Sequence, residues 1–317
     1  MEQETVKFNN GNTYPILGLG TWKSKPHEVT QAVKDAIDIG YRHFDCAPVY
    51  ENEKEVGAGI ASKIKEGVIK REDIFVTSKL WNSRHRPERV EPAIRKTLSD
   101  LGLESLDLYL MHSPMAFKDG DVTFPTDASG AILTEDVDYL DTWRAMEKVV
   151  EKGLAKSIGV SNFNAEQVAR VVDNCKIKPV TNQVECHIYL NQTKLAEFCK
   201  SKGVTLTAYS CFGAPDRPNA NPNDPKILED PKIKEVAAKY NKSPAQIILR
   251  YFTQRGILVI PKSVTKSRIQ ENFNIFDFQI NAEDMNAINA INCDNRLLIS
   301  RSSGLKHHKY FPFNAEF

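Results

Sequence analysis

Asp45, Tyr50, Lys79 and His112 are a carboxylic acid, a phenol, an amine and an imidazole, each at or just past the end of a short apolar run. Asp45 closes "YRHFD", Lys79 follows "IFVTS", and His112 follows "LDLYLM"; Tyr50 lies in the stretch "HFDCAPVYENEKEVGAGI" that leaves Asp45. A turn needs only Gly, Asn or Pro, so something other than the turn has selected an acid and a phenol. A phenol titrates near pH ~10, too weak an acid for neutral chemistry. A nearby ammonium lowers that value by favouring the phenolate. A carboxylate keeps the ammonium charged and aimed, and an imidazole orients a polar group. The set reads as a tuned general acid, worth typically ~10²–10⁴-fold. The plainer reading is that strand ends border polar loops. It explains less well a Lys and a His directly after apolar runs, since long charged side chains seldom sit at the rim of a buried strand unpaired.

Something must bring these residues together. Strand-like runs are "ILGLG", "YRHFD", "IFVTSKL", "LDLYLM", "KSIGVS", "VTNQVE", "TLTAYS" and "ILVIP". Helix-like stretches alternate with them: His27–Ile39, Asn52–Lys65, Pro87–Leu101, Tyr139–Glu151, Ala165–Asn174, Gln192–Lys202, Pro231–Tyr240 and Ser243–Gln254, then Lys266–Phe273 and Ala282–Ile291. Such alternation means parallel strands with crossover helices. Eight strands predict an α/β fold of the (β/α)8 TIM-barrel type, with residues 1–317 as one domain. A doubly wound open sheet is the structural alternative. Two short runs around Asn10-Gly11 predict a hairpin, placed as a plug over the barrel bottom. Ser113–Asp138, Ser210–Asp230 and the tail from Asn292 resist the rhythm, and loops this long are usually functional. In a barrel the strand ends carry the chemistry. They read Thr21-Trp22, Asp45, Lys79, His112, Ser161-Asn162, Asn182-Gln183, Tyr209-Ser210 and Lys262-Ser263.

"GLGTWK" has Lys23 where a third dinucleotide-fold glycine would stand, and there is no P-loop and no H-E-x-x-H. The informative stretch is "IPKSVTKSRIQEN", with Lys262 and Ser263 before a helix start that carries Arg268. Helix N-termini bind phosphate, and this is the usual phosphate corner of the barrel; a solvated basic patch is the alternative. The 42 Lys+Arg against 41 Asp+Glu give a net charge of +1, which argues against nucleic acid or membrane as partner. No apolar run reaches the ~20 residues of a spanning helix. The polar, acidic start lacks the look of a signal peptide. Six scattered cysteines without C-x-x-C spacing read as reduced thiols, not a metal site or disulfide frame. The cytoplasm is the expected compartment.

Together these residues resemble the aldo-keto reductase superfamily, in particular its aldose reductase-like branch. The resemblance runs over nearly the whole chain: "GLGTW", "GYRHFDCAPVYENEKEVG", "TSKLW", "LDLYLMHSP", "IGVSNF", "NQVECH", "AYS" and "IPKSVTKSRIQENF". It implies that Asp45, Tyr50, Lys79 and His112 are a catalytic tetrad. It implies a carboxamide clamp of Ser161, Asn162 and Gln183, with Tyr209 stacked on a nicotinamide. Thr21, Trp22, Ser210, Phe212, Lys262, Ser263, Val264, Arg268, Glu271 and Asn272 are the further implied contacts to an extended NADPH, with no metal and a monomer. The implied reaction reduces an aldehyde or ketone. Trp22, Val49, Trp81, His112, Ser113, Phe124, Leu297 and Leu298 are the expected substrate wall. Ser113 and Asn219 stand where relatives often carry tryptophan, so a wide apolar pocket that favours bulky carbonyls over sugars is expected. A crystallin-like or regulatory NADPH-binding protein with little turnover is the alternative, and an aldolase using Lys79 as a Schiff base is another.

Overall fold

Strands covered on both sides of a parallel sheet are buried on both faces. Leu108–Met111 and Ile158–Ser161 are buried at every residue. The structure, a computed structural model, describes residues 3–25, 27–217, 220–298 and 305–317. Among them, β1 (Thr5–Lys7) and β2 (Thr13–Pro15) form the antiparallel hairpin expected at Asn10-Gly11. Eight strands follow: β3 (Leu19–Gly20), β4 (His43–Asp45), β5 (Phe75–Leu80), β6 (Leu108–Met111), β7 (Ile158–Ser161), β8 (Thr181–Glu185), β9 (Thr205–Tyr209) and β10 (Leu258–Val259). They pair in parallel in chain order. The two ends then meet, through bridges Leu17↔Val259 and Gly20↔Lys262. Gly18 N donates to Val259 O at 2.8 Å and Gly20 N to Pro261 O at 3.1 Å. The sheet is therefore a closed (β/α)8 barrel, not an open sheet. A Cβ on Gly20 would lie 2.6 Å from Ile260 O, so the seam needs glycine there.

The helices are α1 (Glu28–Ile39), α2 (Glu53–Lys65), α3 (Pro87–Leu101), α4 (Tyr139–Glu151), α5 (Ala165–Asn174), α6 (Thr193–Ser201), α7 (Pro231–Tyr240), α8 (Pro244–Gln254), α9 (Lys266–Phe273) and α10 (Ala282–Asn289). All ten lie within two residues of their expected bounds. Start signals explain several: Asn164 and Ser243 each form a capping box, and Asp230 accepts from Lys232 N and Ile233 N. The seam strands β3 and β10 are shorter than "ILGLG" and "ILVIP", because only a few hydrogen bonds span the closure. The hairpin plugs the N-terminal mouth. Phe8, Tyr14 and Ile16 pack against Phe75, Leu108, Val180 and Leu258. Asn9 Nδ2 donates to Pro179 O (2.9 Å) and Gly203 O (3.0 Å). With that end closed, the cleft is left at the opposite rim. No helix among the described residues is long and apolar enough to cross a membrane.

Glu53, the first residue of α2, is a buried carboxyl behind β5. It accepts from Ser78 Oγ (2.6 Å) and Thr97 Oγ1 (3.1 Å). Burial raises its pKa from 4.5 to about 7, against those hydrogen bonds. A carboxyl with a raised folded value holds its proton more tightly when folded. Its burial therefore costs nothing below the unfolded value and costs progressively more as pH rises through the folded one. At ~1.4 kcal/mol per pH unit, this group should remove roughly 3 kcal/mol of stability between about pH 4.5 and about pH 7. Glu53→Gln should abolish that share, which urea unfolding across the window measures. Identical pH slopes for wild type and variant would show that Glu53 does not titrate there.

Candidate active site

The register sets the site. Gly20 pairs with Asp45, Asp45 with Thr77, Lys79 with Leu110 and Leu80 with Met111, so the ends of β3 to β6 share one rim. Asp45 Oδ1 lies 2.5 Å from Lys79 Nζ in a pair whose side chains are 3% and 0% exposed. Lys79 also donates to Cys46 O at 2.9 Å. After Asp45, a single 3₁₀ turn (Pro48–Tyr50) is started by Pro48 and ended by Glu51 in the left-handed region. That turn swings Tyr50 back over the rim. Its ring lies over Lys79, with Nζ 5.1 Å from the centroid. The His112 ring meets it edge-on at 6.2 Å, and Trp81 meets His112 edge-on at 5.0 Å.

Burial works hardest against the Lys79 charge, yet Asp45 and Tyr50 carry its pKa above the ordinary lysine value. His112 is held neutral, first by burial and then by Lys79 and His85. Tyr50 corrects one expectation. Burial pushes its phenol up to about 12, and Lys79 pulls downward without overcoming it. Loss of hydration weighs more on a phenolate here than the nearby ammonium gives back.

The next strand ends form a hydrogen-bonded ring. Gln183 Nε2 donates to Asp45 Oδ2 at 2.7 Å, leaving its amide oxygen uncommitted among the described residues. Asn162 Nδ2 donates to His112 O at 2.8 Å, and its Oδ1 accepts from Tyr209 OH at 2.7 Å. Asn162 holds φ 60°, a left-handed backbone that Asn tolerates better than most residues. Ser161 Oγ donates to Gln183 O at 2.7 Å. Thr21 Oγ1 donates to Asp45 O at 2.7 Å, and Asn52 Nδ2 donates to Thr21 O (2.9 Å) and Ser24 O (3.1 Å).

Above this floor is a cavity of about 510 Å³. Trp22, Val49, Trp81, His112, Phe124, Leu297 and Leu298 of the expected wall line it, together with Tyr50. Trp81 is fixed by its Nε1 donating to Thr123 O at 2.7 Å and by Phe124 against its face. Ser113 does not line it. Its Oγ accepts from Met115 N at 3.0 Å, in the loop that follows β6. Asn219 lies outside the described residues. Neither position therefore supports the expected widening of the pocket.

The cavity extends over residues 209–212, 214–217 and 260–262. Tyr209, Ser210, Phe212 and Lys262 line the cavity. Lys262 Nζ is 3.9 Å from Asp216 Oδ2, and Lys23 donates to Asp216 O. Ser263 Oγ accepts from Thr265 N, and Val264 packs on the core. The helix α9 begins at an N-cap, Thr265, that gives no side-chain hydrogen bond. Arg268 is exposed there and has no hydrogen bond or ion pair among the described residues. Asn272 is buried, and Glu271 accepts from Ser243 Oγ at the start of α8. Ser161, Ser263, Val264, Arg268, Glu271 and Asn272 are thus outside the cavity lining.

Residues 16–293 match the model of the Aldo/keto reductase family. The chain belongs to that family. Aldo-keto reductase family 1 member A1-A of Danio rerio is 50% identical over 317 residues, covering 98% of both chains. Aldo-keto reductase family 1 member A1 of Homo sapiens is 45% identical over 325 residues, covering 99% of both. The aldose reductase from Schistosoma japonicum shares the fold with a TM-score of 0.93 at 44% identity, over 99% of this chain and all 100% of that one. As an aldo/keto reductase, the chain is an oxidoreductase acting on carbonyl compounds.

Several residues of this aldo/keto reductase site escape a reading by strand ends. Asn52 pins the Thr21–Ser24 turn, and Asp216 and Arg217 line the cavity. The length of Ser210–Asp230 pointed to its segment but to no residue in it. The aldolase alternative fails on access. A Schiff-base amine must be neutral and reach substrate, whereas Lys79 is fully buried, ion-paired and absent from the cavity lining.

Proposed function

We propose that this enzyme reduces an aldehyde or ketone with NADPH, using Tyr50 as the proton donor. The observation that carries the proposal is the convergence of Tyr50, His112 and the Asp45–Lys79 pair at the floor of one apolar-walled cavity. Bound reduced nicotinamide supplies the hydride. The residues present fit that cofactor. Tyr209 offers a ring face in the cavity, Asn162 and Gln183 offer amides beside it, and Lys262, Arg268 and the uncapped start of α9 offer cations and N–H groups for phosphate.

The carbonyl oxygen sits between Tyr50 and His112. The neutral imidazole donates a hydrogen bond that fixes and polarises it. As charge develops on that oxygen, the phenol delivers its proton there, and Lys79 beneath the ring steadies the phenolate left behind. Asp45 holds Lys79 charged and in place, and the Gln183 amide holds Asp45. Trp22, Val49, Trp81, Phe124, Leu297 and Leu298 favour an apolar substituent on the carbonyl, at ~25 cal/mol per Å² buried. NADPH oxidation assayed over a panel of carbonyls tests the function. Absence of turnover with every aldehyde and ketone would favour a cofactor-holding protein instead.

Lys262 and Arg268 would meet the 2′-phosphate, with charge-assisted hydrogen bonds worth ~1.5–3 kcal/mol each. Arg268→Ala should weaken NADPH binding by about tenfold or more, at ~1.4 kcal/mol per decade, and leave NADH almost unchanged. Because Arg268 holds no other described partner, its truncation should leave the fold intact. Equal losses for both cofactors in a titration of protein fluorescence would assign Arg268 a structural role.

A further inference from the structure

We propose that Glu185 is a positioning residue that fastens the tail segment Arg296–Leu298 over the cavity and so sets how bulky a carbonyl the enzyme accepts. The substrate half of this inference rests on the carbonyl-reductase reading. Glu185 ends β8, is 0% exposed and does not line the cavity. Both of its oxygens reach the chain more than a hundred residues later. Oε1 accepts from Leu297 N at 2.6 Å and Oε2 from Leu298 N at 2.9 Å. His187 Nε2 lies 3.0 Å from Oε1, and Arg296 Nη1 lies 3.9 Å from Oε2.

A buried carboxylate is costly unless hydrogen bonds and charges compensate it. A neutral side chain would finish β8 at less cost, so the charge needs a reason. The two backbone N–H groups supply one. They belong to a stretch without helix or strand, whose other described backbone anchors are Cys293 N and Asn295 N on Tyr189 O. Arg296 is trapped as well, its guanidinium 4.2 Å from the Phe313 ring. The product of the clamp is a wall. Leu297 and Leu298 both line the cavity, and a Cβ on Gly213 would come within 3.1 Å of Leu297 Cδ1. A large substrate needs that wall fixed, whereas a small aldehyde held by Tyr50 and His112 does not touch it.

Glu185→Gln keeps the shape but replaces one acceptor with a donor that faces an N–H. Hydrogen–deuterium exchange of the peptide Cys293–Leu298 should then speed up about tenfold, the loss of one hydrogen bond at ~1.4 kcal/mol per decade. For a fused-ring ketone, kcat/KM should fall about tenfold, chiefly through KM. For a short aliphatic aldehyde it should change by less than about twofold. In a Leu297→Ala/Leu298→Ala background, Glu185→Gln should add nothing further, because the wall it positions is gone. Arg296→Ala loosens the same segment while leaving the β8 sequence intact and should shift the substrate ratio the same way; no shift there, should Glu185→Gln fail to fold, overturns the proposal. Equal losses for both substrates also overturn it, as does unchanged exchange in an active protein. Failure of the wild type to reduce either carbonyl would instead overturn the carbonyl-reductase reading and the substrate half with it, while exchange still decides the clamp.

Discussion

Tyr50→Phe is expected to lower turnover by ~10²–10⁴-fold, the range for loss of a general acid, with NADPH affinity nearly unchanged. The variant keeps the ring, and with it the edge contact to His112 at 6.2 Å and the cover over Lys79 at 5.1 Å. It removes only the proton that the nascent alkoxide needs. Because burial sets the phenol near 12, Tyr50 is fully protonated at neutral pH and stands loaded to donate. Among the described residues at the cavity, the Tyr209 and Thr21 hydroxyls are committed to Asn162 Oδ1 and Asp45 O. Single-turnover reduction and a cofactor titration on the same sample separate chemistry from binding. Turnover above about a tenth of wild type would remove Tyr50 as the acid, because ~10²-fold is the low end for that role.

Lys79→Met should damage both activity and stability, by different routes. The catalytic loss should again be ~10²-fold or more, because no ammonium is left to steady the phenolate. The structural loss comes from Asp45, 2% exposed, whose carboxylate then keeps the Gln183 amide as its one hydrogen-bond partner among the described residues. Removing one partner of a buried pair costs ~3–5 kcal/mol. Lys79→Met/Asp45→Asn should recover at least half of that stability in urea unfolding and none of the turnover. A double variant as unstable as the single would deny that the stranded carboxylate is the cause. Restored turnover would deny Lys79 its role.

The barrel was legible because burial on both faces writes strands such as Leu108–Met111 as unbroken apolar runs, and caps such as Ser243 and Asp230 mark helix starts. Asp45, Lys79 and His112 were legible for the converse reason: charged or polar groups interrupt those runs at one rim. What the sequence hid depends on three-dimensional surroundings. The pKa of Tyr50 turns on a balance between burial and one ammonium that spacing does not quantify. Adjacency to His112 suggested a shared wall for Ser113, whereas its Oγ is taken up by Met115 N in the loop after β6 and it does not line the cavity. The Glu185 clamp was invisible because its donors are backbone N–H groups, which carry no residue signature, and they lie 112 and 113 positions away.

The central claim is that hydride passes from NADPH to a carbonyl carbon held at Tyr50 and His112. NADPH carrying deuterium at both positions of the reactive carbon of its nicotinamide ring tests it directly. The protein, this cofactor and an apolar aldehyde should give an alcohol with deuterium on the former carbonyl carbon, in amounts equal to the NADPH consumed. Tyr50→Phe should form it at least about a hundredfold more slowly. An unlabelled alcohol, NADPH consumed without alcohol, or equal rates for wild type and variant would contradict the account.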